Sequence, residues 1–203
     1  MSGCDCSVEI KSKEESKVLI ILLIINALMF LVEIVLGIYS DSTALIADSM
    51  DMLADATVYG IGLYAVGKAA IVKIKAAHIS GIFQIILGSF VAIDVIRRII
   101  IGSDPESLLM VFVGIAALIA NLICLRLIAQ HRDGEVHMRA SWIFSKNDVI
   151  ANIGIIFGGC LVYLFDSRYP DLIIGLAISV IVVRGGIHII KDAAAEKAAL
   201  CKS

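Results

Sequence analysis

The chain has little of what a soluble protein needs. Charged residues make up only 18% of its 203 positions and the net charge is −2, which gives no reason to expect nucleic acid as a partner. Two prolines leave little to break a long helix. The first seventeen residues, MSGCDCSVEIKSKEESK, hold no apolar core with a cleavage site. No signal peptide is read there, and the first hydrophobic run is expected to stay as an anchor. Alternation of apolar and polar residues is missing, which argues against a transmembrane barrel. No ATP-binding motif is present, so pumping driven by this chain's own hydrolysis is not expected, and neither enzymatic activity nor a cofactor is predicted.

What the chain does have is hydrophobicity. Apolar residues account for 60%, against about 45–50% in soluble domains, and the mean hydropathy is +0.97. A membrane helix needs roughly 20 mostly apolar residues. Six runs qualify, at 18–39, 43–66, 78–101, 108–129, 140–164 and 170–190, with short connections. The prediction is an all-α integral membrane protein of six transmembrane helices. A polar tail covers 1–17, the transport domain 18–191, and a short tail 192–203. Lys11, Lys13, Lys17, Lys68, Lys73, Lys75, Arg126, Arg132, Arg139, Lys191, Lys197 and Lys202 fall on one side; Arg97, Arg98 and Arg168 fall on the other. Both termini are therefore expected in the cytoplasm. Cys4, Cys6 and Cys201 lie in that reducing compartment and Cys124 and Cys160 lie in helices, so no disulfide framework is expected.

Charges inside a membrane are costly and tend to face a cavity or a partner. Several have simple readings. Asp94 precedes Arg97 and Arg98 by three and four residues, which predicts an interfacial ion pair; Arg184 sits late in its helix and can snorkel. Asn26 and Asn121 read as interhelical hydrogen-bonding groups. The segment TALIADSMDMLADATVYGIGLYAVG is different. Its spacing of three and then four puts Asp48, Asp51 and Asp55 on one stripe of a helix. No basic residue in that run pairs with them, so they must share protons or a cation. Asp148 enters from the opposite side and reaches the same depth as Asp51 and Asp55, near the midplane where transporters bind substrate. Ala47, Ala54, Ala56, Gly60 and Gly62 in helix two, and Gly154, Gly158 and Gly159 in helix five, are small residues that support close packing of these helices.

The segment NALMFLVEIVLGIYSDSTALIADSMDMLADA resembles the opening of the cation diffusion facilitators. WIFSKNDVIANIGII resembles their fifth helix and PDLIIGLAISVIVVRGGIHIIKDA their sixth. The resemblance spans the whole transmembrane region. It implies efflux of a divalent metal, Zn²⁺ first with Cd²⁺ or Co²⁺ as alternatives, in exchange for protons by alternating access. By position, Asp51 and Asp55 match the family's helix-two ligand pair and Asp148 its helix-five aspartate. Phe144 stands where the family usually has a second helix-five ligand. A tetrahedral site wants four donors, so Asn147, Ser145, Asn152 or a water must complete it, with Asn147 favoured. An all-oxygen site also loosens the preference for Zn²⁺ and leaves Mn²⁺ and Fe²⁺ open. The family's cytoplasmic C-terminal domain is absent from this sequence, so a homodimer is expected to form through the membrane helices. The expected setting is a cell membrane, the bacterial inner membrane.

The remaining candidates are less defined. Asp48 shares the stripe and either lines the exit path or is an ordinary helix-end acid. Cys4 with Cys6, and His131 with His137, read as solvated segments before they read as metal-capturing ones. The alternative function is a non-transporting membrane metal sensor or scaffold. An intramembrane aspartyl protease is disfavoured, because Met50 and Asn147 precede Asp51 and Asp148 where Tyr-Asp and Gly-x-Gly-Asp contexts are required.

Overall fold

The computed structural model describes the backbone of residues 3–65, 70–130 and 136–200. Side chains are described within 16–200, apart from 65–70, 73, 131–141, 143–144 and 199. The expectations for Cys4, Cys6, His131, His137 and Phe144 therefore lie outside the described side chains. Six helices follow one another: α1 Gly3–Tyr39, α2 Thr43–Ala65, α3 Ala70–Ile101, α4 Ser107–Ala129, α5 Val136–Phe165 and α6 Tyr169–Leu200. No strand occurs among the described residues.

Five of the six contain segments long and apolar enough to cross a membrane: Ser16–Tyr39, Ile74–Ile101, Ser107–Ala129, Ser145–Phe165 and Tyr169–Ala198. The exception is α2. Its 23 residues span about 34 Å at 1.5 Å per residue, but any membrane-length stretch of it contains all three aspartates. Packing resolves the conflict. α1 packs on α2, α3 on α6 and α4 on α5, and α2 alone contacts all five other helices. The helix least suited to lipid is the one enclosed by protein. Large apolar side chains point outward instead, as along α1 at Leu28, Leu31, Val35 and Ile38.

The helices run past their apolar segments. α1 begins at Gly3, so the tail expected over 1–17 continues the first helix, and α3 begins inside the connection that precedes its apolar run. A tight turn joins α1 to α2. Ser40 N–H donates to Leu36 O at 2.8 Å and Ser42 N–H to Gly37 O at 3.0 Å. Asp41 completes the reversal at φ 50°, a left-handed geometry that aspartate tolerates better than most residues. From that turn the two helices run antiparallel in register: Gly37 faces Leu45 and Ile46, Leu23 faces Gly60, and Leu19 faces Gly62.

α2 and α5 are in contact, but the glycines expected to help them pack face other helices. Gly60 and Gly62 face α1, and Gly154 and Gly158 face Ile174 of α6. The closest backbone approach is between α3 and α6. A Cβ on Gly81 would sit 2.7 Å from Gly186 O, and one on Gly186 would sit 2.6 Å from Gly81 O. Ser179 Oγ adds a 2.8 Å hydrogen bond to Gly88 O along the same seam.

Candidate metal site

The position of α2 is fixed at its first turn. Ser42 is the N-cap, its Oγ accepting from Leu45 N–H at 3.2 Å. A second cap comes from another helix. Asp171, fully buried in the first turn of α6, accepts from Ser42 Oγ at 2.6 Å, Thr43 N–H at 2.7 Å and Ala44 N–H at 3.0 Å. A carboxylate there also complements the positive end of the helix. Nearby, Arg98 ties α3 to the α1–α2 turn through Asp41, accepted at 2.5 Å by its carboxylate and at 2.7 Å by its carbonyl. Asp94 accepts from Arg97 Nε at 2.8 Å and Arg98 Nε at 2.6 Å, which is the predicted ion pair.

Deeper in the bundle the acids of α2 separate into two groups. Asp55 and Asp148 lie within hydrogen-bonding reach of each other. Tyr59, one turn on from Asp55, donates to Asp55 Oδ2 at 3.1 Å and sits 3.5 Å from Ser145 Oγ. Asp51 and Asp148 line a cavity of about 260 Å³ with Gln84, Asn147, Arg184 and His188. Four helices (α2, α3, α5 and α6) build its wall, and it has room for an ion that keeps part of its water shell. Among the described residues, no three His, Cys, Asp or Glu side chains converge closely enough in this conformation to enclose a metal ion. The aspartates share a neighbourhood, and an ion would have to draw Asp51 and the Asp55–Asp148 pair together.

The other sequence candidates fall at different distances from that neighbourhood. Asn147 lies on the cavity wall beside Asp148. Ser145 is engaged through Tyr59, and Asn152 Nδ2 donates to the Asp148 carbonyl at 2.7 Å. Asp48 is buried against Glu33 of α1, and no donor reaches either carboxyl. Asn26 contacts α4 through the Cys124 thiol at 3.9 Å. Asn121 is fully buried with no partner for its amide, so the interhelical bond expected of it is not made. Arg184 is exposed, as a snorkelling side chain should be, yet it lines the cavity as well.

Sequence reasoning missed the site roles of Tyr59, Gln84, His188 and Asp171. Tyr59 follows Asp55 by four residues, which places it on the aspartate stripe, so its role was readable. Asp171 gives no such sign, since its partners lie more than 120 residues away.

Comparison with known proteins gives the family. Residues 19–196 match the cation efflux transmembrane domain. The chain is 27% identical over 194 residues to the zinc transporter ZitB of Pectobacterium atrosepticum, covering 87% of this chain and 59% of that protein. It is 24% identical over 190 residues to a cadmium, cobalt and zinc/H(+)-K(+) antiporter of Bacillus velezensis, covering 87% and 61%. A third relative is the vacuolar zinc transporter ZRC1 of Saccharomyces cerevisiae, 32% identical over 136 residues, covering 59% and 30%. The chain thus spans about 60% of the length of the two bacterial relatives.

Proposed function

The chain belongs to the cation efflux family, the cation diffusion facilitators, and we propose on that footing that it exports a divalent metal ion in exchange for protons. Family members are transporters rather than enzymes, and the metal is cargo rather than cofactor. Zn²⁺ is the first candidate, with Cd²⁺ and Co²⁺ beside it, in keeping with the ions named for the relatives. The observation that carries this reading is the gathering of Asp51, Asp55 and Asp148 at the centre of the bundle, two of them on the wall of one cavity.

Direction follows from charge placement. Arg184 and His188 lie toward the C-terminal half of α6, on the side of the lysine-rich segments, so the cavity is the path from the cytoplasm. An incoming divalent ion offsets the repulsion among the carboxylates and draws them around it. After the bundle rearranges, protons from the other side compete for the same oxygens and release the ion. Asn147, on the wall, is the proposed fourth donor. The proposed setting is a bacterial inner membrane, supported by the bacterial relatives.

The test is metal uptake into proteoliposomes, with and without a pH gradient, across Zn²⁺, Cd²⁺, Co²⁺ and Mn²⁺. Asp51→Asn, Asp55→Asn and Asp148→Asn should each abolish flux while the protein still reconstitutes. Normal flux in those three variants would sink the reading, and metal binding without flux in the wild type would favour a sensor.

A further inference from the structure

We propose that Glu33 and Asp48 form a second divalent-cation site, one helical turn from Asp51 toward the α1–α2 turn. The inference rests on the transport reading above, since it gives the ion a second station within the same bundle.

Both side chains are fully buried, Glu33 on α1 and Asp48 on α2. Their carboxyls lie within hydrogen-bonding reach of each other. Among the described residues no donor meets any of the four oxygens. Carboxylates only accept hydrogen bonds, and an unsatisfied buried charge costs more than an unsatisfied neutral group. Among the described residues no cation answers them: the guanidinium of Arg98 is committed to Asp94 and Asp41. Two facing carboxylates carry the charge that one divalent ion balances, and bound through both oxygens each they offer the four donors of a tetrahedral site.

Placement on the path supports the same conclusion. Asp48, Asp51 and Asp55 share one stripe of α2, so an ion leaving Asp51 toward the turn meets Asp48 next. Glu33 arrives opposite Asp48 because α1 and α2 are antiparallel from a tight turn, in the register that sets Gly37 on Leu45 and Leu23 on Gly60. The pair is sealed while the Asp51–Asp148 cavity is not, as befits a station served after the inner cavity closes.

The test is Cd²⁺ stoichiometry by equilibrium dialysis on the purified full chain, comparing wild type with Glu33→Gln and Asp48→Asn. Each variant should bind one ion fewer per chain than wild type. Each also introduces an amide that donates to the facing carboxyl, so both should fold and melt higher than wild type in chelator. Unchanged stoichiometry overturns the proposal, and so does a variant that releases fewer protons per Cd²⁺ bound but binds as many ions. A lower melting temperature in chelator overturns the description of a donor-free pair. Asp51→Asn and Asp148→Asn report separately on the inner site: if they bind and transport like wild type, the transport reading fails whatever Glu33→Gln does.

Discussion

Removing the Asp171 side chain should destabilise the protein far more than an ordinary helix cap does. Three donors end on this one carboxylate: Ser42 Oγ at 2.6 Å, Thr43 N–H at 2.7 Å and Ala44 N–H at 3.0 Å. Such short contacts to a charged acceptor are the strong kind. In Asp171→Ala the two backbone donors stay buried, because Thr43 and Ala44 are fully enclosed and Gly175 presses α6 onto the Thr43 backbone. Each unsatisfied buried donor costs about 1–3 kcal/mol. The Ser42 hydroxyl can rotate away and contributes less. The expected loss is about 3–5 kcal/mol, against about 1 kcal/mol for a typical N-cap. Asp171→Asn keeps one acceptor oxygen and should fall near half that loss. The assay is reversible unfolding in mixed micelles, followed by circular dichroism, with Ser42→Ala completing a double-mutant cycle. A loss under about 0.5 kcal/mol for Asp171→Ala, the range of neutral surface changes, would refute the claim that α6 holds the start of α2.

Four other outcomes are expected. Arg98→Met should cost about 1–3 kcal/mol in the same unfolding assay, since it strips Asp41 and Asp94 of a nearly buried partner while both remain partly hydrated; the companion Arg97→Met, on an exposed side chain, should cost under about 1 kcal/mol. Gly81→Ala should cost about 1–3 kcal/mol or prevent folding, because its Cβ would meet Gly186 O at 2.7 Å across the α3–α6 seam; a stable variant with wild-type cross-linking between α3 and α6 would contradict that packing. Asp166→Gly should stabilise by up to about 1 kcal/mol by relieving a left-handed backbone at φ 47°. Metal affinity measured by dialysis should fall as pH falls, because protons compete with the ion for Asp51, Asp55 and Asp148; pH-independent affinity would remove carboxylates from the site.

Most of the architecture was readable because membranes simplify the problem. Apolar length gave all six helices, and the three- and four-residue steps from Asp94 to Arg97 and Arg98 gave their ion pair. The stripe of Asp48, Asp51 and Asp55 was readable for the same reason, since periodicity is local. Failures came where geometry depends on two distant segments. Asp171 carries no local sign of its role, because its partners at the start of α2 lie on a distant segment. Glycines drew attention in α2 and α5, but the backbone contact that needs glycine lies at Gly81 and Gly186, and one sequence cannot say which glycines face each other. The start of the first helix was not legible because polarity ends an apolar run without ending a helix, and α1 runs on from Gly3.

Glu33 belongs to neither group. It is a lone acid in the apolar run of the first helix, yet its depth beside Asp48 follows from sequence once the turn is located. A turn as short as Ser40–Ser42 sends the next helix back along the first, so residues at similar distances from it lie at about the same depth. Six residues back from Tyr39 and five on from Thr43 then lie at one depth, which are Glu33 and Asp48. What the stripe alone suggested was three acids acting together. The hairpin assigns Asp48 a partner of its own on α1, while Asp55 finds one across the bundle on α5. Asp51, between them on the same helix and on the cavity wall, is the carboxylate from which an ion could move either way. The shared stripe is then better read as a sequence of positions along a path than as a single ligand set. That is why Asp51→Asn should stop flux entirely, while loss of Glu33 should remove one bound ion and leave the inner one in place.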